Sequence, residues 1–303
     1  MSALFDIPKL CGYSKDNDLS TYLKQVTGSL GVSNIFNPSF HIDSDIKILA
    51  FRAIPIGTKT ITSYVSIETK QSHVVHNISS SYADKLGEKV LDDPKVCKLN
   101  DGIYITFNSG WNPSGQNNIY VMKVHPTLES PKLVTYLKRK DHERNWAFFS
   151  EKGQVYALYS VEPLVVLKLA ESTSKTVAFE EFYKQDRSSS LQNKFTLGTQ
   201  LTEYKGKYYF VAHRKYFFLQ KKLYVGKLCR FDFAQMKIKK TKWLLIHSLT
   251  SLLGHFPRHN TQLISCTYFS GIQIREKKMT LGYGVNDVKA RFSTHQLSTF
   301  FPI

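Results

Sequence analysis

Two adjacent carboxylates followed by a proline, Asp92-Asp93-Pro94, are the residues of this chain best suited by type to move a proton. A general acid must hold its proton near neutral pH. Burial and a neighbouring acid both push a carboxyl that way, because each disfavours the charged form. The same tripeptide also suits an Asx turn ahead of a proline. A second constellation is His213-Arg214-Lys215. On a strand, residues 213 and 215 share a face and 214 points away, so His213 and Lys215 face one anion together or Arg214 acts alone. Arg52 ends the apolar run Ile48-Leu49-Ala50-Phe51. A lone buried cation is costly, so Arg52 is either a phosphate clamp or half of a structural salt bridge. Other chemistries lack their patterns: no Gly-rich phosphate loop, nucleophile-elbow serine or zinc-binding His-Glu helix occurs. His255 and His259 are four apart, but Pro257 between them argues against a helical metal pair.

These residues must be positioned by strands, because helical periodicity is scarce. Short alternating runs follow tight-turn signals: Ile46–Phe51 after HIDSD, Ile103–Phe107 after LNDG, Gln154–Tyr159 after EKG, Lys207–His213 after YKGK and Met279–Tyr283 after REKK. The loose period of about 50 residues is that of propeller blades. Further apolar strands, Ser63–Ile67, Ile119–Val124, Val165–Leu169 and Leu223–Phe231, follow most of them. Each blade cannot bury both faces alone, so the blades pack face to face around an axis. The sequence therefore predicts an all-β, five-bladed β-propeller over residues 34–303. Residues 1–33 form an extension packed on it, with a helix within Asp18–Leu30. Trp243–Leu253 is expected to supply an outer strand and a linker, and the polar stretch Glu180–Asn193 a loop.

The 303 residues are 42% hydrophobic and 13% aromatic, as in a globular chain with strand-favouring Phe and Tyr. No apolar run is long enough to cross a membrane, and the N-terminal residues do not read as a secretory signal. Cys11, Cys97, Cys229 and Cys266 are far apart and lack metal-ligand spacing. No metal, cofactor or disulfide framework is expected, and the setting is expected to be cytoplasmic. The net charge of +17 favours anionic partners or serves solubility. Its basic clusters, Lys205–Lys227 and Lys237–Lys242, come with no nucleic-acid-binding motif, so no nucleic-acid partner is expected and membrane association is at most peripheral.

The blade starts carry a resemblance. They read NPSFHIDSDIKILAFRA from Asn37, LDDPKVCKLNDGIYITF from Leu91, RNWAFFSEKGQVYALYSVEP from Arg144, LGTQLTEYKGKYYFVAHRK from Leu197 and SGIQIREKKMTLGYGVND from Ser270. In order and spacing this series resembles the five-bladed propellers of glycoside hydrolase family 130, the mannoside phosphorylases and related mannosyltransferase/phosphorylase proteins, over roughly residues 34–297. The resemblance implies that inner-strand polar residues meet at one mouth of a central channel. It places the family's Glu-Asp-Pro-Arg motif on Asp92, Asp93, Pro94 and Lys95, which makes Asp93 the general acid on the glycosidic oxygen. It places a basic-acidic-Trp motif on Arg144, Asn145 and Trp146, with Asn145 replacing the acid and Trp146 a candidate for stacking on a sugar. Glu162 stands where the family has a cation before proline. This alters the phosphate geometry and offers a second carboxylate. Of the family's Gly-Gly pair only Gly198 is kept. His213 matches a phosphate-binding histidine, with Lys215 beside it. YGVND makes Asp287 a sugar-hydroxyl acceptor with Tyr283 close by, while Asn37 and Arg52 bracket the first blade's inner strands.

The resemblance thus implies glycosyl transfer between a phosphate-activated donor (a nucleotide sugar or sugar phosphate) and a glycan acceptor, as in surface-glycan synthesis. Arg52, Arg144, His213 and Lys215 would hold the phosphate. The alternatives are a glycoside phosphorylase or hydrolase, the latter pairing Asp93 with Glu162 or Asp287, and a non-catalytic glycan-binding propeller.

Overall fold

Strand formation begins at the turns. In Glu151–Gln154 and Tyr204–Lys207 the central Lys-Gly pairs both take positive φ, +48° and +81° at Lys152-Gly153 and +52° and +68° at Lys205-Gly206. This is the geometry that matches the twist of an antiparallel hairpin. Glu276-Lys277 makes the same turn without glycine, at +47° and +67°. A computed structural model of the chain describes residues 7–110, 115–143, 145–186, 195–218 and 220–301.

After β1 (Ile7–Leu10) and helix α1 (Asn17–Thr27), the strands form successive antiparallel meanders. The first is β2 (Val32–Ile42), β3 (Ile46–Pro55), β4 (Thr62–Thr69) and β5 (His73–Asn77), followed by helix α2 (Ile78–Leu86). The second is β6 (Asp92–Leu99), β7 (Gly102–Asn108), β8 (Ile119–His125) and β9 (Lys132–Tyr136). The third is β10 (Ala147–Glu151), β11 (Gln154–Val161), β12 (Leu164–Ser172) and β13 (Thr176–Lys184). The next joins β14 (Thr196–Leu197) and β15 (Thr202–Tyr204) to the long hairpin β16 (Lys207–Phe218) and β17 (Lys221–Asp232), with β18 (Lys237–Lys240) outside. β19 (Trp243–Ile246) pairs in parallel with β1, and a short helix α3 (Leu249–Leu252) follows. The last meander is β20 (Leu263–Arg275), β21 (Lys278–Val285) and β22 (Lys289–Gln296).

The period of two along each strand explains the packing. Val96 faces a core shared with the first meander (Ile48, Ala50, Val65), while its neighbour Cys97 faces a core shared with the third (Phe148, Ala157, Leu167). Phe149 and Tyr208 meet across the next interface, and Tyr209 turns to the last meander, where it packs with Leu281 and Tyr283. Phe292 then packs on Phe40, Leu49 and Phe51 of the first meander, with Leu19, Tyr22, Leu23 and Val26 of α1 added from outside. Every sheet thus buries both faces against its neighbours, and the circuit returns to its start.

Some sheet edges also pair, which the sequence did not indicate. β9 lies parallel to β13, β17 to β20, and β2 to β22 through Ile35 and Lys289. The expected loop from Glu180 begins instead as strand, because Val177 and Phe179 alternate into the core and carry β13 to Lys184; residues 187–194 lie outside the described residues. The helix expected within Asp18–Leu30 is α1, and Trp243–Ile246 is the expected outer strand. The four cysteines are free and buried. Among the described residues no helix is long and apolar enough to cross a membrane.

Candidate functional site

A cavity of about 1000 Å3 opens where the first residues of the inner strands converge. The local device that aims side chains into it is a bulge with a left-handed residue. The β2–β3 register shifts between Phe36 and Ser39, and the β6–β7 register between Asp92 and Lys95. The residues inside these bulges, Asn37 and Asp93, have φ of +52° and +51°, and Asn145 ahead of β10 has +60°. Asn and Asp tolerate this region better than other side chains with a Cβ. The proline that follows Asn37 and Asp93 gives up no ladder hydrogen bond within a bulge. The Asx-turn reading and the site reading of Asp93 are therefore compatible: the strained turn turns its carboxylate to the cavity.

Arg52 binds both carboxylates. Its Nη1 donates to Asp93 Oδ1 and its Nη2 to Asp92 Oδ2, each at 2.9 Å. Nε lies 2.6 Å from Asp92 Oδ1, an ion-pair contact whose angle is too poor for a hydrogen bond. Burial alone would favour the uncharged form of Arg52, but Asp92 and Asp93 reverse this and hold it charged. Of the two roles left open by the sequence, the described contacts of Arg52 are those of the salt bridge. Burial pushes the Asp92 carboxyl up, Arg52 opposes the rise, and Asp93 adds to it. Asp287, at φ +56° on the same cavity, is also pushed up by burial; Arg52 opposes and Asp93 reinforces the shift.

Behind the carboxylates lies a polar cluster centred on Asn145. Its Oδ1 accepts from the buried ammonium of Lys95, and its Nδ2 donates to Leu197 O at 3.0 Å and to Tyr268 Oη at 3.1 Å. Lys95 Nζ sits 5.5 Å from the Tyr268 ring centre. Burial lowers its pKa to about 8, against the pull of Asp93. The His213 ring lies 4.3 Å from that of Tyr268, tilted by 46°. Burial, helped by Lys95, lowers it to about 3. The Phe269 N–H donates to its Nε2 at 2.9 Å, so the ring is neutral with its proton on Nδ1. His213 thus stands at the cavity without the positive charge that a phosphate clamp would use. Gly198 is required beside it: a Cβ there would lie 2.5 Å from Val211 O and 2.8 Å from His213 Nε2.

Asn37, Arg52, Asp92, Asp93, Asn145, Glu162, His213, Lys215 and Asp287 all line the cavity. Arg144 lies outside the described residues. Two expected site residues do not reach the cavity wall. Trp146 is 2% exposed, boxed in by Tyr136, Phe148, Tyr159 and Phe179, and its Nε1 donates to Glu143 Oε2 at 2.8 Å, so no face is left for a sugar. Tyr283 is fully buried in the core, 3.3 Å from His247 Nδ1, because its place in β21 points away from the cavity. Glu162 reaches the cavity but is engaged there, paired with Lys240 and accepting from Phe195 N at 3.0 Å.

Sequence reasoning missed Tyr268, Lys95 as a buried cation, and Gln200. Gln200 joins three meanders by accepting from Phe148 N and donating to Thr106 Oγ1 and Trp146 O. One signal was available. Lys95 follows Asp93-Pro94 as Ser39 follows Asn37-Pro38, and Ser39 Oγ accepts from Val96 N at 2.9 Å. Aligned bulges therefore mark an inward position. Among the described residues no group of three or more His, Cys, Asp or Glu side chains is placed to hold a metal ion.

The sequence matches no family model and no curated protein. Solved structures do match over most of the chain. A structure from the family of mannoside phosphorylases, glycoside hydrolase family 130, described as containing hydrolases of β-1,2-mannosidic linkages in Candida mannan, aligns at TM-score 0.59 and 13% identity over 87% of this chain and 84% of that one. A glycosyl hydrolase from Bacteroides ovatus aligns at TM-score 0.57 and 12% identity, over 87% and 84%. The β-1,2-mannobiose phosphorylase of Listeria innocua, solved with β-1,2-mannobiose, aligns at 0.54 and 12%, over 88% and 91%. At this identity the likeness is one of fold. The chain has the all-β, propeller-type architecture of these glycoside-cleaving proteins.

Proposed function

We propose that the chain is a carbohydrate-active enzyme that transfers a glycosyl group, with Asp93 exchanging the proton of the glycosidic oxygen. The observation that carries this reading is the Asp92–Asp93 pair gripped by Arg52 on the wall of a large cavity, in a fold shared with glycoside-cleaving proteins. In the cleavage direction the C–O bond breaks as the leaving oxygen takes the proton of Asp93, and phosphate attacks the sugar carbon. In the synthetic direction an acceptor hydroxyl loses its proton to the Asp93 carboxylate and attacks a donor activated by phosphate, as a sugar phosphate or nucleotide sugar. Arg52 stabilises the Asp93 carboxylate, the form that accepts a proton in the synthetic direction and the form left behind when the proton is given up in cleavage. In this reading residues 34–303 form a five-bladed propeller carrying residues 1–33 as a packed extension. The enzyme works in the cytoplasm on precursors of a surface glycan.

A second reading rests on Asp287. Its buried carboxyl shares the cavity with Asp93, and its pKa is pushed up. Two such groups about 6.5–9.5 Å apart would serve an inverting hydrolase, one as acid and one as base toward water. In that case inorganic phosphate would not change the products.

Asp93→Asn tests the common element of both readings. Asn accepts the left-handed backbone of this position, and Arg52 keeps Asp92 as a partner, so folding should survive. Turnover should fall about 10²–10⁴-fold, with melting temperature and ligand affinity nearly unchanged. Wild-type turnover by the purified variant would remove Asp93 from the chemistry and leave a glycan-binding propeller as the better account.

A further inference from the structure

The wall of the cavity formed by the β16–β17 hairpin has a chemistry that proton exchange does not use. Register pairs Lys215 with Tyr224 and Phe217 with Lys222. Paired residues share a face, and alternate residues along each strand do as well, so these four side chains form one surface, and all four line the cavity. Two cations and two rings therefore alternate in a checker pattern. Lys215 Nζ lies 5.3 Å from the Tyr224 ring centre and 5.7 Å from that of Phe217. Phe217 is 67% exposed, unusual for so large an apolar group. Lys222 is held from the neighbouring meander, its Nζ donating to Gln262 Oε1 at 3.3 Å.

The charge of the chain is concentrated in this meander. Residues 205–242 hold twelve lysines and arginines against one acid, Asp232, a net +11 of the chain's +17. Lys207 pairs with Asp232 and Lys240 with Glu162. The end of the hairpin nearest the cavity, residues 214–222, has Arg214, Lys215, Lys221 and Lys222 and no acid. Lys140 and His142 add basic side chains to the same cavity from the loop after β9. Of the carboxylates on the wall, Asp92 and Asp93 are held by Arg52, Glu162 by Lys240, and Glu143 accepts from Trp146 and Tyr159.

We propose that this hairpin surface is a subsite for an anionic ring: the rings take the flat or apolar face of the ligand and Lys215 and Lys222 take its negative charge. The source of that charge is either an acidic sugar of the glycan, bearing a carboxylate or phosphate ester, or the diphosphate of a nucleotide. The inference rests on the glycosyl-transfer reading, since it assigns the part of the ligand remote from Asp93.

Calorimetric titration of the full chain with mannobiose, with a glucuronate-terminated disaccharide and with UDP separates the cases. Wild type should bind at least one anionic probe about tenfold or more tighter than mannobiose, with affinity falling as salt rises. Lys215→Gln/Lys222→Gln should erase that preference and flatten the salt dependence while leaving mannobiose affinity within about twofold. Both lysines are at the surface of the hairpin, so the variant should fold as wild type. Lysine-dependent binding of the uronate places the charge on the glycan, and of UDP on a nucleotide. Binding that is blind to charge, or a preference that survives the double substitution, overturns the subsite and leaves the role of Asp93 standing. Failure of all three probes to bind overturns both.

Discussion

Lys95 shows how a single residue links the site to stability. Its ammonium is buried between Asn145 and Tyr268, and burial outweighs the attraction of Asp93, so its pKa falls from 10.5 to about 8. The sign follows from proton counting. Between about pH 8 and 10.5 the unfolded chain carries a proton at this position and the folded chain has lost it. Stability therefore rises with pH across that window and is lower below it. Replacing Lys95 by Met removes the titration. In urea melts at a series of pH values, wild type should gain about 3 kcal/mol relative to Lys95→Met between pH 8 and 10.5. A constant difference would mean that Lys95 keeps an ordinary pKa. The residue types of the site were largely readable in sequence, because Asn and Asp are the side chains that best accept the left-handed backbone of its bulges. Ring orientation was not. Trp146 and Tyr283 sit in motifs that suggest ligand contact, yet Trp146, just ahead of β10, and Tyr283, within β21, both turn their side chains into the core.

At the scale of the element, the inner strands do two things at once: they pack by alternation and they open by bulge. Hairpins and their turns were legible because Lys-Gly and Asp-Gly pairs punctuate alternating runs. Pairing of one meander with the next was not, since parallel edges such as β9–β13 and β17–β20 depend on contacts between strands distant in sequence. Gly198 marks where an inner strand meets the site. It lies against Val211 O and His213, in a chain segment whose N–H groups at Gly198 and Thr199 both donate to that carbonyl. A methyl group at 2.5 Å from Val211 O must push the strand off β16 and displace His213 from the cavity wall. Gly198→Ala should therefore cost about 1–3 kcal/mol in denaturant melts and weaken ligand binding as well, since overpacking and site geometry share this contact. A variant that loses stability but keeps full affinity would separate His213 from the binding site.

At the scale of the whole molecule, the ring of meanders closes where β2 meets the last sheet. Ser270 Oγ donates to Pro38 O at 2.8 Å, Gln273 Nε2 donates to Ile42 O and its Oε1 accepts from Ile42 N, and Thr294 Oγ1 donates to Asp16 Oδ2 at 2.7 Å. These contacts join residues more than 230 positions apart, so they bear a large loop-closure entropy and contribute to a high contact order. Such contacts are expected to form last. Gly282 is a probe of them, because a Cβ there would lie 2.4 Å from Pro38 O and 3.1 Å from the Phe40 ring. Gly282→Ala should thus destabilise the chain by about 1–3 kcal/mol through overpacking at the seam alone. If closure follows the folding transition state, the loss falls on the unfolding limb of the chevron. Unfolding should accelerate by roughly 5- to 150-fold while the folding rate in water stays within about twofold. If the folding limb slows by the larger factor, the two ends meet before the transition state, and the seam is part of the nucleus rather than the final clasp of the ring.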